Sequence, residues 1–296
     1  MIKEGYIPFK GYQTYYRIVG AEYKKTPLLL IHGGPGSTHN HFEVLDELAD
    51  LDQRPLIMYD QIGCGLSYVR GKHPELFNKA VWCEEIETLR QELRLKELNL
   101  LGHSWGGMLA IIYKTDCHPE GIKSITLSST LSSVSLWEKE THRLIGLLDE
   151  KDQKILLEAE KTQNYSTKEY KKAYRNYVIA FIGKKFPKSL GKPECFKRKK
   201  KTGENAYLEA WGPSEFKPTG NLHDYEYTDK LQTIDCPVLV CSGINDESTP
   251  LQNQIMFDAL KTRKQRILYE HSRHMSFFEE KGLYMANLKE FLDSCD

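Results

Sequence analysis

The stretch that most constrains the fold is residues 98–109, which reads as a short apolar strand, a glycine-bounded serine and an apolar helix. Ser104 stands between Gly102 and Gly106, a spacing typical of a serine held on a strained turn from a strand into a helix. Glycine suits both flanking positions because a Cβ would meet the neighbouring backbone at so sharp a bend. A helix beginning at Trp105 would aim backbone N–H groups and the positive end of its dipole at charge that develops beside the serine. The pattern predicts a nucleophile, although an ordinary corner with a surface serine has the same spacing.

Around this stretch, strand-like and helix-like segments alternate along the chain. Residues 4–20 alternate apolar and polar positions around a Lys10-Gly11 turn, which predicts an antiparallel hairpin. The further predicted strands are 28–31, 56–59, 98–101, 122–127, 237–241 and 266–269, and the predicted helices contain residues 42–48, 85–95, 108–113 and 284–292. This order predicts an α/β fold in which a mostly parallel sheet has helices on both faces.

The alternation stops after Ser128 for about a hundred positions. Residues 131–230 are instead rich in helical, charged and aromatic sequence. Such an interruption indicates a helical insertion over the carboxyl edge of the sheet. We therefore expect residues 1–130 and 231–296 to form a core domain and residues 131–230 to form an inserted helical cap.

The amino-acid composition limits the classes of binding partner that we expect for this protein. The chain has 41 basic and 41 acidic residues, so it has no overall field that would favour nucleic acid or an anionic membrane. It begins without a secretory pattern, and no run approaches the ~20 apolar residues of a membrane helix. Seven scattered cysteines suit reduced core thiols better than disulfides or a metal site. We expect a cytoplasmic monomer with no cofactor, no metal, and no nucleic-acid or membrane partner.

One local exception to this charge balance is residues 184–201, which carry nine basic residues against the single acid Glu194. Such a run is a candidate contact for nucleic acid or an anionic surface. Here it lies among Pro187, Gly191 and Pro193 without the context of a binding fold. A solvated loop is therefore the favoured interpretation.

A nucleophilic serine in this arrangement requires an acid and then a histidine, each in a loop after a later strand. The loop after 122–127 offers no carboxylate, whereas the loop after 237–241 offers Asp246 and Glu247. Asp246 is the predicted acid on spacing, and it would hold a histidine in the correct tautomer and stabilise its imidazolium. Its alternative role is to cap the helix that Thr249-Pro250 opens.

The loop after the last predicted strand supplies two histidines, His271 and His274. An imidazole, with an unperturbed pKa near ~6.5, can take the serine proton and return it to a leaving group. We favour His274, with His271 as the alternative. His103 is adjacent to the serine but points elsewhere on such a turn, so we interpret it as structural.

A tetrahedral intermediate also needs N–H donors for its oxyanion. The backbone N–H of Trp105 is one candidate, and the glycine-rich loop after the first parallel strand, residues 32–36, should supply the other. Gly34 is our choice and Gly33 the second. The same glycines would also suit a tight turn with no catalytic role.

Five separated motifs resemble those of the proline iminopeptidase family of α/β-hydrolases and occur in the family's order. They are HGGPG at 32–36, DQIGCGLS at 60–67, GHSWGG at 102–107, GINDESTP at 243–250 and SRHMSFFE at 272–279. Within the family the likeness is closest to the tricorn-interacting aminopeptidase and the bacterial prolyl aminopeptidases. The resemblance implies an α/β-hydrolase fold and metal-free release of an N-terminal residue, often proline, from short peptides. It puts Ser104, Asp246 and His274 on the family's triad, and Gly34 and Trp105 on its oxyanion hole.

The resemblance also implies which residues bind the free amine of the substrate. The sequence GPSEF at 212–216 is similar to the family's cap motif, so Glu215 and its partner Glu247 are expected to pair the amine, with Tyr207 nearby. An α-ammonium that enters a partly dry pocket must be paired, and two carboxylates would also fix the peptide by its first residue. The alternative for both glutamates is plain surface charge.

The sequence thus predicts a serine aminopeptidase that acts on short peptides or aminoacyl amides through an acyl-enzyme, with proline or another apolar first residue preferred. The alternatives are an amidase, esterase or lactonase with the same triad, and a non-catalytic binding protein that kept the fold. Three aromatic residues are candidate walls for a flat, apolar first side chain, or part of a small core in the cap: Trp137, Trp211 and Tyr207. Ile62 and Arg273 stand where many relatives have arginine and glycine, and either could alter the pocket without touching the triad.

Overall fold

In a computed structural model, which describes residues 1–183 and 192–296, an eight-stranded sheet organises the chain. The strands are β1 (Ile2–Phe9), β2 (Tyr12–Val19), β3 (Leu28–Ile31), β4 (Leu56–Tyr59), β5 (Leu98–His103), β6 (Ile122–Ser128), β7 (Val238–Gly243) and β8 (Lys264–Tyr269). Their order across the sheet is β1-β2-β4-β3-β5-β6-β7-β8. The β1–β2 and β2–β4 pairs are antiparallel, and every pair from β4 to β8 is parallel. The predicted hairpin and mostly parallel α/β sheet are confirmed.

Helices connect these strands. In the described part of the chain they are α1 (Glu47–Asp52), α2 (Lys79–Glu92), α3 (Trp105–Asp116), α4 (Val134–Ile145), α5 (Glu150–Thr162), α6 (Lys168–Tyr177), α7 (Glu194–Lys197), α8 (Glu204–Ala210), α9 (Pro250–Ala259), α10 (Ser276–Glu279) and α11 (Lys281–Asp293). The helix expected over 42–48 is a 3-10 helix, His39–Leu45, followed by α1. The helix expected over 85–95 begins earlier, at Lys79, because Asn78 caps it by accepting a hydrogen bond from the Val81 N–H.

The helices cover both faces of the sheet, as predicted. Side chains of β3 alternate between the two faces: Leu29 packs in one buried cluster with Ile111 of α3, and Leu30 in another with Leu288 of α11. Every residue of β3, β4 and β5 is buried, which explains why these strands read as continuous apolar runs. The carboxyl ends of the parallel strands share one edge, and the loops at that edge carry the predicted triad and oxyanion residues.

Helices α4 to α8 lie between β6 and β7, in what we call the cap segment, residues 131–230. Part of this segment has a buried cluster of its own, in which Tyr177 and Phe216 pack with aliphatic residues of α4 and α5. Other side chains of the segment, including Trp137 and Trp211, join the main core. The cap segment is therefore packed onto the sheet domain, while its boundaries as a separate domain stay a prediction.

The basic run is only partly visible, since its residues 184–191 lie outside the described residues. In the remainder, Arg198 forms an ion pair with Glu43, and the Lys201 ammonium lies 4.5 Å from the ring centroid of Tyr68. These contacts tie part of the run to the sheet domain. No helix within residues 1–183 and 192–296 has the length and apolar character needed to cross a membrane.

Candidate active site

Ser104 is the residue through which β5 turns into α3. Its φ of 56° and ψ of −125° form a strained conformation for a residue with a side chain. A Cβ on Gly102 would lie 2.2 Å from the Gly106 carbonyl oxygen, and a Cβ on Gly106 would lie 1.9 Å from the Ile31 carbonyl oxygen. Both glycines are thus required, because the turn presses the start of α3 against the ends of β3 and β5.

The predicted acid and histidine meet in the structure. Asp246 follows β7, His274 follows β8, and His274 Nδ1 lies 2.7 Å from Asp246 Oδ1. The same carboxylate oxygen accepts a hydrogen bond of 2.8 Å from the Ser248 N–H, and Asp246 is buried. His271 is instead exposed, and its backbone N–H donates to Glu280. Of the two candidate histidines, the structure brings His274 to the acid.

Ser104 and His274 border one cavity of about 300 Å³, which we call the serine cavity. Its lining combines loops of the sheet edge with residues of the cap segment, and it includes Gly34, Ser104, Tyr207, Glu215, Glu247 and His274. The predicted nucleophile, base and amine-binding residues therefore line one cavity, although they come from widely separated parts of the sequence.

The two predicted oxyanion donors lie on two different elements, the start of α3 and the loop after β3. Trp105 is the first residue of α3, so its N–H has no partner within the helix. Gly34 lies on the loop after β3 with a φ of +118°, a conformation that disfavours any residue with a Cβ. Gly33, the second candidate, packs against the nucleophile so closely that an added Cβ would lie 3.0 Å from Ser104 Cβ. The glycine loop therefore lies within contact of the serine.

Gln61, which the sequence analysis did not single out, ties these two elements together. Its side-chain oxygen accepts a 2.8 Å hydrogen bond from the Trp105 indole, and its Nε2 donates to the His32 carbonyl at 2.9 Å. Its backbone N–H donates to His32 Nε2 at 3.0 Å. Burial lowers the pKa of His32 to about 4, so that ring is neutral and can accept this bond. The only sequence signal for Gln61 was its place in the DQIGCGLS motif.

Charge around His274 favours its protonated form. Burial alone lowers the pKa of a histidine, but here attraction to Asp246 and the hydrogen bond with it, together with attraction to Glu247 and Glu215, raise the pKa of His274 to about 9. Glu247 Oε1 lies 3.8 Å from His274 Nδ1. The basicity of His274 is therefore coupled to the carboxylates of the cavity as well as to its direct partner.

His103 supports the loop that carries His274. Its Nε2–H donates to the His274 carbonyl at 2.8 Å, and the two rings pack edge to face with centroids 4.7 Å apart. Burial, reinforced by repulsion from His274, lowers the pKa of His103 to about 3 and keeps the ring neutral. These contacts support the structural interpretation of His103.

The three residues expected to bind the amine are neighbours. The Tyr207 hydroxyl donates to Glu215 Oε2 at 2.6 Å. Among the described residues, Glu247 Oε2 is buried without a hydrogen-bond partner. Burial raises the pKa of both glutamates, and repulsion by Glu215 raises that of Glu247 further. Two desolvated carboxylates, one of which has an oxygen without a hydrogen-bond partner among the described residues, would be stabilised by a nearby cation.

Trp137 and Trp211 hold the backbone of Glu215 by hydrogen bonds. Both indole N–H groups donate to the Glu215 carbonyl oxygen, at 2.9 Å and 3.3 Å, and the rings pack edge to face 6.0 Å apart. In the described part of the chain, the lining of the serine cavity does not include either ring. Of the two interpretations offered for these tryptophans, the structure favours the core.

The two departures from the family pattern lie beside the site. Ile62 is buried, and its N–H donates to the Glu85 carboxylate at 2.9 Å. Arg273 donates from Nε to the Ala180 carbonyl at 2.8 Å, so it joins the histidine loop to the cap segment. In the described structure, neither residue is among those that line the serine cavity.

Comparison of this sequence with those of known proteins identifies the family to which the chain belongs. The model of the alpha/beta hydrolase fold family matches residues 26–281. A proline iminopeptidase from Lactobacillus helveticus is 52% identical over 295 residues, which cover 100% of this chain and 99% of that protein. The chain belongs to the proline iminopeptidase family. Another proline iminopeptidase, from Clostridioides difficile, is 51% identical over 296 residues, which cover 100% of this chain and 99% of that protein.

Solved structures agree with this family. A crystal structure of a proline iminopeptidase from Mycobacterium smegmatis is 25% identical, with a TM-score of 0.86 and coverage of 99% of this chain and 98% of that one. The structure of VinJ is 28% identical, with a TM-score of 0.90 and 99% coverage of both chains. These comparisons confirm three predictions from the sequence, namely the family, the α/β-hydrolase fold and a hydrolase of the proline iminopeptidase type. The cytoplasmic location and the monomeric state stay predictions.

Proposed function

We propose that this protein is a serine aminopeptidase that releases the N-terminal residue of short peptides through an acyl-enzyme, with proline or another apolar first residue preferred. One observation carries the proposal. Glu247 has a buried carboxylate oxygen that lacks a hydrogen-bond partner among the described residues, and Glu247 lines the same cavity as Ser104 and Glu215. A nucleophile and two carboxylates thus line one cavity, which suits an acyl group that bears a free ammonium.

The triad geometry supports the chemical steps. The Ser104 hydroxyl attacks the carbonyl carbon of the first residue while His274 takes its proton at Nε2. Asp246, 2.7 Å from Nδ1, keeps the ring in the tautomer that leaves Nε2 free and stabilises the imidazolium. The N–H groups of Gly34 and Trp105 receive the oxyanion. His274 then protonates the leaving amine, and water repeats the sequence to release the free amino acid and restore Ser104.

The carboxylate pair supports exopeptidase specificity. An ammonium placed between Glu215 and Glu247 would offset the repulsion that raises the pKa of Glu247, so binding is favoured for a charged N-terminus. The hydrogen bond from Tyr207 orients Glu215 for this contact. Because the amine is fixed at this end of the cavity, the first carbonyl is the one delivered to Ser104.

Apolar side chains complete the cavity and support the preference for an apolar first residue. Ile182 and Phe196 of the cap segment and Met275 of the histidine loop line it together with the polar groups. A side chain buried against them gains about 25 cal/mol per Å² of apolar surface removed from water. Proline has a compact ring and no flexible atoms to order, which suits such a small space.

The deciding experiment compares an aminoacyl substrate with an acyl ester that lacks an amine. Proline and leucine β-naphthylamides and p-nitrophenyl acetate are assayed with the native protein, Glu215→Gln and Glu247→Gln. We expect each variant to lower kcat/KM for the naphthylamides by roughly 10²-fold, since a buried ammonium loses one charged partner. The loss for the ester is expected to be much smaller. The matched control is Glu209→Gln, which removes an exposed carboxylate from α8.

Two results would overturn the proposal. If both glutamine variants hydrolyse the naphthylamides as fast as the native protein, the amine site is wrong. If the ester is hydrolysed rapidly and no aminoacyl amide is, the protein is an esterase or lactonase that uses the same triad.

A further inference from the structure

Lys200 is a charged residue of the serine cavity to which the reaction has assigned no part. It lines this cavity together with Ser104, Glu215 and Glu247. It also lines a neighbouring hollow of about 840 Å³, whose wall contains Arg198, Lys199 and Lys201. Lys200 therefore lies between the serine cavity and a hollow whose wall contains four lysine and arginine residues besides Glu4 and Asp60.

The backbone around Lys200 is held against the oxyanion loop. The Gly203 N–H donates to the Gly36 carbonyl at 2.7 Å, and a Cβ on Gly36 would lie 2.3 Å from the Gly203 carbonyl oxygen. The Gly65 N–H donates to the Lys201 carbonyl at 2.7 Å. These bonds on its C-terminal side position Lys200 beside the loop that carries Gly34.

Among the described residues the Lys200 ammonium has no partner, in contrast to three of the basic residues around it. Lys199 has none either, but it does not line the serine cavity. Lys197 pairs with Glu194, Arg198 pairs with Glu43, and Lys201 lies over Tyr68. Within residues 1–183 and 192–296, the Lys200 ammonium makes neither an ion pair nor a hydrogen bond. Part of the side chain stays exposed, yet desolvation of the ammonium lowers the pKa of Lys200, and attraction to Asp60 opposes this shift. A partly desolvated, unpaired cation is stabilised by binding an anion.

The wall of the serine cavity combines both signs of charge. Glu215 and Glu247 are acidic lining residues, and Lys200 is a basic one. A substrate held by its ammonium at the glutamates extends its leaving group away from them, past Ser104. Each further residue adds at most 3.8 Å between Cα atoms, so the carboxylate of a short peptide stays within reach of a flexible lysine.

We propose that Lys200 binds the C-terminal carboxylate of di- and tripeptide substrates and thereby sets the peptide length that this protein prefers. The inference rests on the proposed aminopeptidase function and deepens it. Glu215 and Glu247 hold the amino end, Lys200 holds the carboxyl end, and a peptide that fits between them places its first carbonyl at Ser104. Lys200 is thus a binding residue for the leaving group, not a participant in proton transfer.

The experiment compares peptides that differ only at the carboxyl end. Leu-Gly and Leu-Gly-Gly are assayed beside their C-terminal amides with the native protein, Lys200→Met, Lys200→Arg and Lys199→Met. We expect native kcat/KM to be roughly tenfold higher for the free acids than for the amides, as for one charge-assisted hydrogen bond. Lys200→Met should bring this ratio close to one, Lys200→Arg should restore most of it, and Lys199→Met should leave it unchanged.

The outcomes separate this inference from the proposed function. If leucine β-naphthylamide and all four peptides resist hydrolysis, the aminopeptidase proposal itself fails. If the naphthylamide is hydrolysed but native free acids and amides react equally, Lys200 has no carboxylate role. A native preference for free acids that survives in Lys200→Met would also overturn the inference, and so would an equal loss in Lys199→Met, which would indicate a general basic field instead of one residue. The ratio within each variant is independent of how much active protein folds.

Discussion

The serine cavity is lined by two regions, the carboxyl edge of the sheet and the cap segment, which hold their polar side chains in different ways. At the sheet edge, Ser104 is placed by the backbone itself, and an added Cβ on either flanking glycine would meet a carbonyl oxygen at 2.2 Å or less. In the cap segment, Glu215 is placed by side chains, namely two indoles on its carbonyl and the Tyr207 hydroxyl on its carboxylate. Backbone contacts tolerate almost no change, whereas side-chain contacts can be altered one at a time.

Because of this difference, we expect the sheet edge and the cap segment to have different roles in the reaction. Parallel strands and tight turns give the sheet edge one geometry, which suits the attacking group and the acid–histidine pair. The cap segment supplies groups around that geometry, and its residues select the acyl group that reaches Ser104. We therefore expect changes at the sheet edge to affect all substrates and changes in the cap segment to affect substrates unequally.

The largest effect is expected from Ser104→Ala. Loss of the nucleophile should lower kcat/KM by roughly 10⁴- to 10⁶-fold for naphthylamides and p-nitrophenyl acetate alike, and abolish covalent labelling by a fluorophosphonate. The matched control is Ser37→Ala, since Ser37 also lines the serine cavity. Labelling that persists in Ser104→Ala and disappears in Ser37→Ala would move the nucleophile to the other serine.

Gly106→Ala tests the backbone constraint at the sheet edge, and we expect it to destabilise the protein. Its new Cβ would lie 1.9 Å from the Ile31 carbonyl, so we expect urea-induced unfolding to show a loss of about 3 kcal/mol or more in the free energy of unfolding. Gly282→Ala in α11 is the control, because nothing lies within 4 Å of its added Cβ. It should change stability by no more than about 1 kcal/mol, in the stabilising direction. Equal stabilities for the two variants would contradict the backbone constraint.

Glu247→Gln tests the electrostatic link between the two regions. The negative charge of Glu247 favours the imidazolium of His274, so its removal should lower the pKa of His274 from its value of about 9. Neutral His274 would then be available at lower pH, and the acid limb of kcat/KM for p-nitrophenyl acetate should move down by about one pH unit. Glu209→Gln should leave this limb in place. An unshifted limb in Glu247→Gln would show that His274 and Glu247 titrate independently.

Tyr207→Phe is expected to have the smallest effect. It removes the 2.6 Å hydrogen bond to Glu215 Oε2 but keeps the ring, so kcat/KM for aminoacyl naphthylamides should fall by about 3- to 10-fold, mainly through KM. Tyr6→Phe, in β1, serves as the control for loss of a tyrosine hydroxyl. A loss above 10³-fold would mean that Tyr207 takes part in the chemical step.

The site residues that could be predicted from the sequence share one property, since each of them lies in or directly after a recognisable local sequence pattern. Ser104, Asp246 and His274 follow strands whose parallel arrangement brings their ends to one edge, so strand order alone predicts that they meet. The residues that sequence analysis missed have no such pattern. Gln61 bonds to a tryptophan 44 positions away, and a glutamine that bridges two loops looks like any other polar residue in a turn.

The cap segment shows the same limit more strongly. Helical periodicity predicted its helices, but Trp137 reaches the Glu215 carbonyl across 78 positions, and nothing in either local sequence signals the contact. The alternatives for the tryptophans, cavity wall or core, were therefore settled by packing. Lys200 was one lysine among nine basic residues of a run, and its position between the cavity and the basic hollow separates it from the others.

By itself, the sequence determined the α/β-hydrolase fold, the turn that carries Ser104, and the order in which an acid and a histidine must follow. It could do so because glycine spacing and apolar periodicity act over a few neighbouring residues. The tertiary structure decided that His274 and not His271 meets Asp246, that a carboxylate oxygen of Glu247 is buried without a hydrogen-bond partner among the described residues, and that Lys200 lines the same cavity as the two glutamates. These facts depend on long-range packing, where desolvation and distance give each charge its strength.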